Sequence, residues 1–154
     1  MGRQHSYKTT ITWTGNKGTG TSGYQAYDRS YTIEWGDKPA ILGSSDPAFR
    51  GDRKRWNPEE LLLASLSACH QLWYLHLCAD AGVVVETYVD EASGVMEEFS
   101  DGSGRFLEVT LRPKVRLAAG SDRARAHALH EEAHSKCFIA RSVNFPVKCA
   151  PALH

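Results

Sequence analysis

The stretch 57–82, NPEELLLASLSACHQLWYLHLCADAG, constrains this chain more than any other. It reads as one long helix. Asn57 can cap the first turn, Pro58 suits the first helical position, and Glu59 and Glu60 favour the positive end of the helix dipole. Gly82 supplies the left-handed residue that stops it. Between these ends, Leu61, Leu62, Leu63, Leu66, Leu72, Trp73, Tyr74, Leu75 and Leu77 leave almost no polar stripe, so nearly every side needs cover. At about 1.5 Å per residue the helix is roughly 36 Å long, the span of a small domain. A chain of 154 residues has little other material to bury it, which points to a second copy of the protein.

The remaining composition narrows the function classes. The length suits one domain, residues 1–154. Eighteen basic residues balance 18 acidic ones, which argues against a nucleic acid or a membrane surface held by charge. The first ten residues are polar and lack the apolar run of a secretory signal, so a cytoplasmic location is expected. Ser65, Ser67, His70, Gln71 and His76 interrupt the apolar helix, which excludes a membrane span. Residues 1–6 match the loose pattern for N-myristoylation, but that pattern is short and common.

Along the chain, 7–14 alternates Tyr7, Thr9, Ile11 and Trp13 against polar partners, the pattern of a half-buried strand. The glycine-rich 15–23 lacks a Gly-Lys-Ser/Thr ending and leads into a strand, so it reads as a connection rather than a phosphate loop. A second strand spans 29–35, and 43–56 is irregular and charged. Together these form an N-terminal hairpin and loop over 1–56. After the central helix, 83–89 is a strand, 91–94 a bend, 100–104 a turn and 106–117 the returning strand. Pro113 suggests an edge position or a bulge there. Ser121 or Asp122 caps a second helix reaching about Arg141, and 144–149 is a last short strand. The class is α+β.

The four cysteines are Cys69, Cys78, Cys137 and Cys149, with no Cys-x-x-Cys pair among them. Cys78 and Cys149 read as small apolar residues. On the second helix Ala126, Leu129, Ala133, Cys137 and Ala140 recur at helical spacing, so Cys137 faces inward. His127, His130 and His134 flank that face. His130, His134 and Cys137 can in principle reach one ion, but a fourth ligand and an orienting carboxylate are missing, and a solvated flank explains the three histidines more simply. No metal and no cofactor are therefore expected.

Cys69 and Cys137 lie on different helices and both point inward. They are either two inert core thiols or a redox pair. In the redox reading one thiolate attacks a peroxide and the other condenses onto the sulfenic acid. An apolar site alone would raise the thiol pKa, so this reading requires a nearby cation and a carboxylate to hold it. Arg50 and Glu59 are the candidates.

The pattern Asn57-Pro58-Glu59-Glu60-Leu61-Leu62, then Ala64, Ala68, Cys69 and His70, with distant Cys137 and Val143-Asn144-Phe145-Pro146-Val147, resembles the OsmC/Ohr family of thiol-dependent hydroperoxide reductases. The resemblance covers nearly the whole chain. It implies an intertwined homodimer whose antiparallel sheets wrap two central helices. It also implies that Cys69 is the peroxidatic cysteine, Cys137 the resolving one, and Glu59 the carboxylate that orients an activating arginine. The Ohr branch carries that arginine in the first hairpin, where residues 18–23 offer none. The OsmC branch carries it before the Asn-Pro-Glu motif, where Arg50 falls, with Arg53 and Arg55 as the next choices.

The implied function is reduction of organic hydroperoxides to alcohols, with a small dithiol of the dihydrolipoyl type as external reductant. Leu66, Leu72, Trp73 and Tyr74 are either an apolar wall favouring organic peroxides or ordinary core. Two alternatives belong to other classes. One is a non-catalytic dimer that binds a small apolar ligand. The other is a cysteine hydrolase pairing Cys69 with His70 or His76, whose helical spacing suits neither.

Overall fold

A computed structural model describes residues 2–154, so Met1 of the lipidation pattern lies outside the described residues. The chain forms two compact units, one ending at Leu61 and the other running Leu62–His154. Their boundary falls within the first turns of the long helix.

The N-terminal unit is a three-stranded antiparallel sheet in the order β1 (Thr10–Trp13), β2 (Tyr31–Glu34), β3 (Ile41–Gly43). The third strand was not expected, because Ile41-Leu42 is too short to show a period. Gly43 is required there: an added Cβ would lie 2.1 Å from the Tyr31 ring, its partner across the ladder. The half-burial expected of the first strand is absent. All four β1 residues are exposed, with Ile11 at 59%. A 3₁₀ turn, Pro47–Phe49, follows.

The long helix α1 runs Pro58–Asp80, close to its expected bounds. Its start is a reciprocal cap: Asn57 Oδ1 accepts from the Glu60 N–H at 2.8 Å, and Glu60 Oε2 accepts from the Asn57 N–H at 3.1 Å. At its end Gly82 adopts φ 70°, the Val83 N–H reaches the Cys78 carbonyl, and the Gly82 N–H reaches that of Ala79. This double closure is the Schellman pattern. Asn57→Ala should lower the midpoint of thermal unfolding by a few degrees, matching the loss of about 1 kcal/mol for such a cap.

The C-terminal unit packs α1 and α2 (Arg123–Lys136) with two three-stranded sheets. One sheet has the order β4 (Val85–Asp90), β7 (Pro113–Leu117), β9 (Ala152–Leu153); the other β5 (Ser93–Glu98), β6 (Gly104–Leu111), β8 (Val147–Cys149). β4/β7 and β5/β6 are antiparallel, whereas β8 and β9 add parallel edges. The strand expected over 106–117 is two strands in two sheets. Pro113 has no N–H to continue a ladder, and the Arg112 N–H turns to Asp90 Oδ1 at 2.6 Å. Pro113 is therefore the first residue of the central strand of its sheet, not an edge residue.

Along α1 the buried residues are Leu66, His70, Tyr74, Leu77 and Cys78, a single stripe at helical spacing. Tyr74 and Leu77 join Val115, Leu129 and Ala133 in one core cluster, and Leu66 joins Val109 and Leu111 in a second. α2 ends earlier than expected. It stops at Lys136, Cys137 leaves with extended backbone (φ −65°, ψ 112°), and a 3₁₀ turn, Ala140–Ser142, follows.

Candidate functional site

The C-terminal unit brings Cys69 and Cys137 together. Cys69 lies half-buried in mid-α1, and Cys137 is 1% exposed at the end of α2. Cys69 is among the groups that raise the Cys137 thiol, so the two side chains are neighbours, and both are free. The expectation placed Cys137 within the helix. It stands instead at the C-cap, where the extended turn folds the following chain over its sulfur. The Ala140 N–H donates to Cys137 Sγ at 3.4 Å.

Burial pushes the Cys137 thiol up to about 11, and the neighbouring Cys69 acts in the same direction. A thiol raised in the fold stabilises the protein fully below the ordinary thiol value, and that contribution is lost as pH rises toward 11. The same shift governs reactivity. At pH 8 in reduced wild type, iodoacetamide should label Cys137 on the order of 10²-fold more slowly than a free cysteine, accelerating toward pH 11. Site-resolved mass spectrometry reads this directly.

The rim of the thiol pair is aromatic. Trp73 lies one turn after Cys69, and its ring meets Phe138 edge-on with centroids 5.7 Å apart. Phe138 is 64% exposed. The apolar wall expected of four residues is narrower. Leu66 and Tyr74 belong to the core clusters and Leu72 is exposed, which leaves Trp73.

Arg50 and Glu59 belong to the N-terminal unit. Arg50 caps the 3₁₀ turn with φ 64°, the one non-glycine residue with positive φ among the described residues. That backbone costs a side chain-bearing residue about 1 kcal/mol or more, and such strain concentrates at functional positions. Its exposed side chain lines a cleft with Asp28, Ser44 and Asp52. Glu59 is half-buried and, after burial itself, is the second cause that raises the Tyr31 phenol. Among the described residues no ion pair joins Arg50 to Glu59. Of the other arginines, Arg55 donates to the Tyr31 carbonyl at 3.4 Å and lies 3.9 Å from Asp52, whereas Arg53 is exposed.

The histidines are arranged differently from either expectation. His130 is 3% exposed, not part of a solvated flank, and it does not converge with His134 and Cys137. Its Nδ1 lies 3.0 Å from Nε2 of His70, which is 1% exposed, and Tyr74 stacks on its ring at 3.8 Å. Burial lowers His70 to about 4 and His130 to about 3, so both are neutral at physiological pH. The sequence did carry a signal for His70, since Leu66, His70 and Tyr74 recur every four residues on the buried stripe. No Cys69–histidine dyad forms among the described residues: His70 Nε2 faces His130, and His76 lies 3.4 Å from Asp80.

Comparison with known proteins places the chain in a family. The sequence pattern of the family described as OsmC-like protein matches residues 51–151. YmaD, an uncharacterized protein of Bacillus subtilis (strain 168), is 29% identical over 116 residues, which span 73% of this chain and 75% of that protein. An organic hydroperoxide resistance protein from Elizabethkingia anophelis shares the fold at 19% identity, with TM-score 0.71 over 99% of this chain and 100% of that one. An OsmC-like protein of unknown function from Vibrio cholerae superposes with TM-score 0.88 at 30% identity, covering 97% of this chain and all of its own. On the family pattern and on this last likeness, the chain belongs to the OsmC-like protein family.

Proposed function

We propose that the protein is a thiol peroxidase that reduces organic hydroperoxides to alcohols. One observation carries the reading: two free cysteines 68 positions apart in sequence, 137 − 69, become neighbours in the fold, with the Trp73 and Phe138 rings close by in sequence to each. Burial keeps the proton on Cys137, and the more accessible Cys69 is the nucleophile. The Cys69 thiolate attacks the distal peroxide oxygen, the O–O bond breaks, and the alkoxide takes a proton and departs as the alcohol. Cys69 is then a sulfenic acid. Cys137 attacks its sulfur, water leaves, and an internal disulfide forms. A dithiol of the dihydrolipoyl type reduces that disulfide by exchange and is itself oxidised.

Arg50 supplies the cation that activates Cys69, and Glu59 orients it. Its strained backbone favours Arg50 over Arg53 and Arg55. Trp73 and Phe138 favour alkyl and aryl peroxides over hydrogen peroxide. A relative that shares the fold is named for organic hydroperoxide resistance, which agrees with this substrate class.

The working form is a homodimer. Ile11 (59%), Leu42 (50%), Trp56 (55%) and Leu72 (66%) are apolar and exposed, far more than a solvated single chain needs. The protein acts in the cytoplasm, where thiols stay reduced. No helix among the described residues is long and apolar enough to cross a membrane.

Reduced protein mixed with cumene hydroperoxide and dihydrolipoamide should oxidise the dithiol catalytically and yield cumyl alcohol. Absence of peroxide-dependent turnover would sink the reading and leave a dimeric module for small apolar ligands in its place.

A further inference from the structure

The buried histidine pair has a third member. Cys149 Sγ, from the last residue of β8, lies 3.6 Å from His70 Nε2. The donor atoms of His70, His130 and Cys149 all fall within 4.8 Å of one another, and each comes from a different element. Neither thiol of the redox pair takes part. From these three residues we infer a binding site for one zinc-class cation, held by His70 Nε2, His130 Nδ1 and Cys149 Sγ.

The spacing fits the ion. Tetrahedral zinc, with Zn–N near 2.05 Å and Zn–S near 2.3 Å, places two nitrogens roughly 3.4 Å apart and nitrogen and sulfur roughly 3.6 Å apart. The observed separations are 3.0 Å for the nitrogens and 3.6 Å for the nitrogen–sulfur edge. The two rings are parallel to within 5° with centroids 5.4 Å apart, so the two inner nitrogens face each other across 3.0 Å. The donor set of two imidazoles and one thiolate suits a borderline cation and not magnesium or calcium.

Two further observations agree. The outer nitrogens, His70 Nδ1 and His130 Nε2, are buried without partners. The inner nitrogens share a hydrogen bond at 3.0 Å, and moving its proton to the outer nitrogen of the same ring frees both inner lone pairs for an ion. His130 and Cys149 border a cleft of about 300 Å³, lined as well by His127, Glu131 and His134. The cleft gives an ion a way in and leaves room for a fourth ligand or a water. Metal entry ionises the Cys149 thiol, releases one proton and forms an S–metal bond; no oxidant or reductant is needed.

The test uses the full chain, reduced, stripped with a chelator and titrated with Co²⁺ and then Zn²⁺. One equivalent of Co²⁺ should give a thiolate-to-cobalt charge-transfer band with intense tetrahedral d–d bands, and Zn²⁺ should displace it. Cys149→Ser should abolish the charge-transfer band and weaken Co²⁺ binding at least tenfold, about the minimum for losing a ligand. Cys69→Ser should keep both. X-ray absorption of the wild-type zinc form should show one sulfur and two imidazole nitrogens, a readout that needs no variant to fold. The site is overturned if wild type gives no thiolate band, if the band survives Cys149→Ser, if Cys69→Ser removes it, or if zinc has no sulfur neighbour.

Discussion

Cys69→Ser should lose organic peroxide turnover by at least about 10³-fold, because a serine hydroxyl is scarcely ionised where a thiol is and is a far weaker nucleophile toward O–O bonds. Cys137→Ser should fail differently. Its Cys69 still attacks peroxide once, so a stoichiometric burst of alcohol is expected, followed by a sulfenic acid that dimedone traps. Mass spectrometry of the dimedone adduct places it on Cys69. The contrast matters because both variants lose steady-state turnover. A burst with trapping in Cys137→Ser, and neither in Cys69→Ser, assigns the nucleophile and the resolving thiol separately. The reverse pattern would exchange the two roles. That outcome would contradict the reading of Cys137 as the buried, protonated thiol.

The second large effect concerns stability. Tyr74 is fully buried, stacks on His130 at 3.8 Å, and its hydroxyl donates to the Ala126 carbonyl at 3.1 Å, so it ties α1 to α2. Tyr74→Ala removes a whole aromatic ring from the larger core cluster and should cost about 3–5 kcal/mol. In thermal unfolding this corresponds to a midpoint on the order of 10 °C lower. Tyr74→Phe retains the ring and loses only the hydroxyl, so about 1 kcal/mol is expected. If the two variants were equally destabilised, the hydrogen bond and not the packing would dominate this position. Denaturant unfolding at fixed protein concentration gives both values and removes any dependence on assembly.

Much of the fold was legible because its signals are local. The ends of α1 follow from Asn57, Glu60 and Gly82, each of which acts within one turn of its own position. The Cys69 context, with Asn57-Pro58-Glu59 before it, was equally local, and so was the resemblance built on it. Elements set by partners were harder to see. β3, β8 and β9 have two or three residues each, too few for a period, and exist because a neighbouring strand receives them. The break at Pro113 was visible, but its consequence, two strands in different sheets, depended on Asp90 capturing the Arg112 N–H.

The amino-acid order alone determined the long apolar helix, the α+β class and the presence of two inward cysteines on separate segments, since periodicity and capping are properties of neighbouring residues. Only the tertiary structure decided which side chains meet. It put Cys137 at a helix end against Cys69, and it turned His130 away from His134 and Cys137 toward His70 and Cys149. Those contacts join residues 60 and 79 positions apart. They depend on how helices and strands pack, and no spacing along the chain encodes that directly.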